Sequence, residues 1–396
     1  MRYEFVAPRQ IVFGRERLRE LPDLVKTVAQ RVWLVPGSRR LVARGVVAQI
    51  VAALRDAGVY VFELPVIDHE PLVGDVDRWA EGMLRQGVIA GDAILAVGGG
   101  SAIDLAKALA GVIGEALGSR SDRPPRIVEF LEGVGTGRKI QHPPLPVIAV
   151  PTTAGAGAEA TRNAVISSHD PPFKKSFRDS RLMPQIVVVD PVLTVDLPAD
   201  ITAATGMDAI TQLVESYISK RWQPIPRALA LQGLKLAVKA LPRAVRDGSD
   251  LEAREAMAHA ALLSGMALAN SGLGMAHGIA AALGVHCQIP HGLACAMLLP
   301  TAIRVNAEVC PNELAELARY VYGEEAPQDA RAASLFLADK MDQLCQMVGI
   351  PRKLSQVGVT PEKIPAIVRD SRGTSMQGNP RELSDQELTR ILEELQ

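Results

Sequence analysis

The chain has 396 residues, 48% of them hydrophobic and 22% charged, which is enough for two domains with substantial cores. With 43 basic against 44 acidic side chains the net charge is −1, so nothing points to a nucleic-acid or anionic-membrane partner. No apolar run reaches the roughly 18 residues of a membrane span, and charges interrupt the opening MRYEFVAPRQIVFG, which does not read as a signal peptide. The four cysteines, Cys287, Cys295, Cys310 and Cys345, have no zinc-ribbon or CxxC spacing, so a cytoplasmic protein with reduced thiols is expected.

Up to about residue 200, short β-like runs alternate with helical stretches, the pattern of an open parallel α/β sheet. Val32–Val35 reads as a buried strand that runs into Pro36-Gly37-Ser38 and then a helix over Leu41–Ala57. Val59–Leu64, Ala93–Val97, Leu145–Val150 and Ile186–Val189 read as further strands, and Asp75–Gln86 and Ala102–Gly111 as helices. Gly118–Pro125, rich in proline and charge, reads as a surface excursion. After Pro198 the strand-like runs stop. Helical stretches are expected over Gly206–Ser219, Pro226–Ala240, Leu251–Ala269, Met275–Leu283, Gly292–Asn306, Ala332–Val348 and Ser384–Glu394. The expected organisation is a dinucleotide-binding α/β domain over 1–199 and an all-α domain over 200–396.

The strand at Ala93–Val97 ends in Gly98-Gly99-Gly100-Ser101 and runs into a helix carrying Asp104. Glycines let backbone approach a pyrophosphate, and the amides of a helix N-terminus point positive charge at it. The spacing is not the GxGxxG of the usual dinucleotide fingerprint. A second small-residue turn, Pro151–Gly157, leaves another strand end and adds the hydroxyls of Thr152 and Thr153. Two such turns at strand C-termini form the crevice where open α/β sheets bind ligands. Lys174 and Lys175 are placed to reach a nucleotide phosphate or ribose. The turn Pro36-Gly37-Ser38-Arg39-Arg40 has no acid to hold a ribose 2′-hydroxyl and two arginines that suit a 2′-phosphate, so NADPH is expected to be accepted.

Further along, Asp208 and its i+4 neighbour Gln212 share a helix face. His277 and His291 each sit at the mouth of an apolar helical run flanked by small residues. Imidazole is the commonest protein ligand for a transition metal. An aspartate, its i+4 neighbour and two later histidines make a possible four-ligand site.

In this order the motifs resemble the iron-containing (group III) alcohol dehydrogenase family. The matching pieces are Phe13-Gly14, GGGSAIDLAKALA (98–110), PTTAGAGAEAT (151–161), the lysines and VVVDPVLT within 174–198, TAATGMDAITQLVESYIS (202–219), MAHGIAAALG (275–284) and PHGLACAMLLP (290–300). The resemblance implies dinucleotide contacts from the GGGS turn, the PTT turn and Lys174, with NADP or NAD as cofactor. It also implies a divalent metal, Fe2+ or Zn2+, at Asp208, Gln212, His277 and His291. Two positions depart from the family pattern. Glutamine stands at 212 where a histidine ligand is expected, and Ala281 stands where the second histidine of HxxxH is expected. His286 is the candidate to supply the proton donor missing at Ala281, beside His277 and His291.

The implied activity is NAD(P)-dependent alcohol dehydrogenation or aldehyde reduction on a small substrate, in a homodimer or larger homo-oligomer. Three other readings stay open from the residues alone. They are a metal-free reductase resembling maleylacetate reductases, a lyase resembling dehydroquinate synthases, and a non-catalytic nucleotide-binding relative. The lack of Lys or Arg over 272–300 speaks against the lyase.

Overall fold

The computed structural model describes residues 2–396, which divide into two compact units. One unit, Val6–Thr153 with Ala158–Thr194, is built on a parallel sheet. Its strands are β1 (Gln10–Phe13), β2 (Arg31–Pro36), β3 (Tyr60–Glu63), β4 (Ala93–Gly98), β5 (Val147–Pro151) and β8 (Ile186–Val189), in the order β1-β8-β5-β4-β2-β3. A separate antiparallel hairpin joins β6 (Asn163–His169) to β7 (Pro172–Arg178).

The central strands are runs of Val, Ile, Leu and Ala because both sheet faces are covered. Trp33, Val35, Ile94, Ala96, Val147 and Ala149 bury one face. Their alternates Val32, Leu34, Leu95, Val97, Ile148 and Val150 bury the other. Each fully buried aliphatic side chain of this kind stabilises by about 1.5–3 kcal/mol. The chain leaves β2 outward to β3, then returns to the opposite side of β2 as β4. The order of strand addition therefore reverses between the parallel strands β2 and β4, at the two turns that begin with Gly37 and Gly98.

Helix α1 (Gly100–Gly118) follows β4 and is longer than its sequence pattern indicated. The single helix expected over Leu41–Ala57 is two, Arg39–Ala43 and Val46–Asp56. They are separated at Gly45, whose φ of 77° interrupts the helix. The β6–β7 hairpin was not anticipated. Residues 118–126 are largely exposed, as a surface excursion should be.

The second unit is formed chiefly by Val195–Gln396 and includes the short strap Ala154–Gly157. It begins a few residues before the boundary expected at 200, and a single cut in the sequence could not have assigned it the strap. Its helices include α2 (Ala199–Ile218), α3 (Leu251–Asn270), α4 (Met275–Cys287) and α5 (His291–Asn306). Pro311–Tyr322 is an additional helix, opened by a proline at its first position, where no N–H is needed. Leu213, Leu234, Met257, Ile279, Leu299, Leu317 and Leu337 contribute to one shared core. The strap meets α3 through glycine on glycine. A Cβ on Gly157, whose φ is 60°, would lie 2.6 Å from Gly265 backbone. No single helix among the described residues is long and apolar enough to cross a membrane.

Candidate active site

In the α/β unit, the turns after β2 and β4 close on each other. A Cβ on Gly37 would lie 2.7 Å from Gly98 Cα, and a Cβ on Gly98 would lie 2.6 Å from Gly37 Cα. Only two glycines permit this approach. The Gly37 N–H donates to the Val97 carbonyl at 2.9 Å, and the Thr152 N–H donates to the Gly98 carbonyl at 3.0 Å, so the turns after β2, β4 and β5 are tied together. Gly99 caps α1, and a Cβ there would meet the Thr153 hydroxyl at 3.1 Å. Gly100 and Ser101 open the 19-residue helix, whose first amides are free of intrahelical partners. Bare backbone, a helix N-terminus and a sheet switch point are features that suit the negative charge of a pyrophosphate.

Other residues expected here also make contacts within the protein. The Asp104 carboxylate accepts from the Val165 N–H at 3.1 Å and from Lys107 Nζ at 3.4 Å. It fastens the β6–β7 hairpin to α1. Lys174 lies in β7, ion-paired with Glu70. Ser38 caps the helix at Arg39–Ala43 by accepting from the Arg40 N–H at 3.1 Å. The turn after β2 has an acidic neighbour that the sequence did not reveal: Asp68 lies 2.6 Å from Arg39.

In the helical unit, Asp208, His277, His291 and Cys295 converge, their ligating atoms all within 4.8 Å of one another. Asp208 projects from the middle of α2, His277 from the first turn of α4, and His291 begins α5. Asp208 Oδ1 is 3.2 Å from His277 Nε2, and the two imidazole centroids are 5.4 Å apart. Gly292 sets the close approach of α5 to α2. A Cβ there would lie 2.5 Å from the Ala204 carbonyl oxygen and 3.3 Å from Asp208 Cβ. Burial pushes the Asp208 pKa up, but contacts with His277 and His291 outweigh it and hold the group below the ordinary carboxylate range. Burial penalises charged His277, yet Cys295, Asp208 and Glu215 together raise its pKa well above the usual imidazole value.

Glu215 was missed by the sequence reading. One of its oxygens accepts from His277 Nδ1 at 2.7 Å and from the Gly274 N–H at 2.9 Å, the other from the Ala276 N–H at 2.7 Å. With the Nδ1 proton held there, Nε2 is the nitrogen left to face Asp208. Metal-ligating histidines are commonly fixed by a carboxylate in this way. The signal was present: Asp208, Gln212 and Glu215 are buried polar residues on one stripe of the helix. Cys295 was also missed, although it stands one turn after His291.

Two expected site residues lie elsewhere. The Gln212 amide makes its hydrogen bonds outside the cluster, its nitrogen donating to the Ala156 carbonyl at 3.1 Å and its oxygen accepting from Ser264 at 3.0 Å. Gln212 ties the strap and α3 to α2 and is corrected from ligand to structural bridge. His286 is nine residues after His277 in α4, about 13 Å along the axis and half a turn round. Its Nε2 is 2.6 Å from Asp370. It therefore faces away from the His277 stripe and cannot replace the proton donor absent at Ala281.

Two carboxylate or thiol donors and two imidazoles, convergent and buried except for the partly exposed His291, fit a divalent transition metal. A cluster able to hold a metal, in a chain whose glycine-lined sheet turns suit a dinucleotide, is what nicotinamide-dependent oxidoreductases acting on CH–OH groups require. Residues 8–191 match the family model for iron-containing alcohol dehydrogenase, and residues 202–396 match that for the C-terminal region of the Fe-containing alcohol dehydrogenase family. The chain belongs to the iron-containing alcohol dehydrogenase family. It is 30% identical over 389 residues to the NAD-dependent methanol dehydrogenase of Bacillus methanolicus, covering 98% of each chain. It is 32% identical over 402 residues to the 1,3-propanediol dehydrogenase of Citrobacter freundii, covering 98% of this chain and 97% of that one. The solved alcohol dehydrogenase from Oenococcus oeni superposes with a TM-score of 0.91 at 32% identity, covering 100% of both chains. The alcohol dehydrogenase reading is thus the one that stands among those open from sequence.

Proposed function

We propose that the enzyme interconverts small primary alcohols and their aldehydes, with Asp208, His277 and His291 holding a divalent metal and the Gly98–Ser101 turn seating the dinucleotide. The observation that carries this reading is the convergence of these three side chains, Asp208 and His277 buried and His291 partly so, with Glu215 fixing the tautomer of His277. When bound, the metal supplies Lewis acidity at the substrate oxygen, and the nicotinamide supplies the hydride chemistry.

The chain's own residues do the rest. The Gly37–Gly98 approach lets backbone come close to the pyrophosphate, and the first amides of α1 face its negative charge. Asp208 contributes a negative charge in a dry setting, and burial of the cluster excludes water that would screen it. His277 is held in one orientation by Glu215. With alanine at 281, no imidazole occupies that position on the same face of α4.

Arg39 and Arg40 suit the 2′-phosphate of NADP, while Asp68 against Arg39 offsets part of that charge. We therefore infer that both cofactors are used, with kcat/KM values within about tenfold, or about 1.4 kcal/mol. Small substrates, a cytoplasmic setting and a homo-oligomeric state complete the reading.

The test is steady-state kinetics on a panel of short-chain alcohols and aldehydes with NADH and NADPH in parallel, before and after chelation. Turnover that depends on restored metal, with either cofactor, is expected. Turnover indifferent to chelation would overturn the metal assignment, and reduction of a conjugated double bond in preference to a carbonyl would overturn the substrate class.

A further inference from the structure

We propose that Cys295 is the remaining protein ligand of the metal centre, taking the part that Gln212 does not fill, and that its thiolate makes the site zinc-preferring. This rests on the metal reading above and specifies it.

His291 and Cys295 are one turn apart on α5 and share a face. Cys295 Sγ lies 3.7 Å from His291 Nε2. Asp208 Oδ1 and His277 Nε2 are 3.2 Å apart. Tetrahedral zinc, with bonds of about 2.0–2.1 Å to nitrogen or oxygen and about 2.3 Å to sulfur, has edges of about 3.3 Å between nitrogen and oxygen and about 3.6 Å between nitrogen and sulfur. The two observed edges already have nearly these lengths.

The other cysteines are placed differently. Cys310 Sγ donates to the Asn306 carbonyl and Cys345 Sγ to the Ala296 carbonyl, while Cys287 is half-buried at the end of α4. Among the described residues, Cys295 is the cysteine that meets an aspartate and two histidines at ligand range, and its side chain is fully buried. Gln212 contributes nothing comparable, since both ends of its amide are engaged by Ser264 and Ala156.

The chemistry follows from charge and softness. Asp208 and a Cys295 thiolate would balance the two positive charges of the ion, with both histidines neutral. Binding displaces the thiol proton, so loading releases a proton to solvent. Thiolate is a soft donor that suits zinc, whereas a set of only carboxylate and imidazole discriminates less.

The experiment uses the full chain without a polyhistidine tag, stripped of metal and reloaded. Cobalt-loaded wild type is expected to show a strong sulfur-to-cobalt charge-transfer band in the near ultraviolet, and Cys295→Ser and Cys295→Ala are expected to lose it. Zinc affinity, read by competition with a chromophoric chelator, should fall in both variants by on the order of a hundredfold, the upper end of what loss of a ligand's supporting partner costs. X-ray absorption on zinc-loaded wild type should show a sulfur neighbour at about 2.3 Å, a result independent of whether either variant folds. Cobalt bound without the band, and zinc without a sulfur neighbour, overturns Cys295 as ligand and leaves the Asp208–His277–His291 centre standing. Failure of wild type to bind either metal overturns both.

Discussion

Glu215 shows how one buried carboxylate can set up a neighbouring ligand. Its two oxygens accept from the His277 ring and from amides at the start of α4, so the charge is satisfied within a side chain that is 1% exposed. Glu215→Gln keeps the shape but replaces an acceptor with a donor aimed at N–H groups. Metal affinity should fall about 10–100-fold while the fold is retained, measured by chelator competition alongside circular dichroism. Unchanged affinity would mean that His277 is oriented by packing alone. Asp208, His277 and His291 were legible because their motifs occur in a recognisable order. Glu215 and Cys295 were overlooked although spacing carried a hint of each, Glu215 seven residues after Asp208 and Cys295 four after His291, because the groups they meet on other helices are not reported by spacing. The phase of α4 could have excluded His286 in advance, since nine residues place it opposite His277.

At the scale of elements, the contact between α5 and α2 decides whether the ligands meet. Glycine in a helix costs about 0.5–1 kcal/mol relative to alanine, so Gly292→Ala would stabilise an isolated α5. In the protein the added Cβ would lie 2.5 Å from the Ala204 carbonyl oxygen, which is backbone and cannot swing aside. Overpacking of this kind costs about 1–3 kcal/mol, so it outweighs the helix propensity. Gly292→Ala is expected to lower the denaturation midpoint and, because His291 is adjacent, to weaken metal retention. A variant as stable as the parent with full metal content would show that α5 can shift freely. The sheet strands and long helices were legible because their apolar runs have one period and long extent. The β6–β7 hairpin was not. Ala164, Ile166, Phe173 and Phe177 are its buried apolar positions, but Ser, Lys and Arg between them read as loop. Gly45 likewise broke a helix that composition alone had joined.

For the whole molecule, stability against pH follows from a charged cluster inside the α/β unit. Lys107 Nζ is fully buried and donates to Thr161 Oγ1 at 2.9 Å, to the Asn163 carbonyl at 2.7 Å and to Asp104 at 3.4 Å. Burial lowers the Lys107 pKa and raises that of Asp104. Glu159 is pushed from the ordinary 4.5 up to about 7, by burial first, against the pull of a backbone hydrogen bond and Lys107. A group whose folded pKa is raised binds more protons folded than unfolded. Its contribution is therefore fully present below about pH 4.5 and is lost as pH rises through about 7, a change on the order of 3 kcal/mol. Asp104 acts in the same direction, whereas Lys107 opposes it in the alkaline range. The formal net charge of −1 at pH 7 keeps general self-repulsion small. Glu159→Gln removes the titration without removing the side chain's bulk. Urea unfolding of parent and variant at a series of pH values isolates the effect. The two should differ least near pH 4, and the variant should gain on the parent between pH 5 and 7 and hold that lead above. A difference that stays flat across this window would show that the Glu159 carboxylate reaches solvent or a cation when it ionises, and that its burial does not govern the pH response.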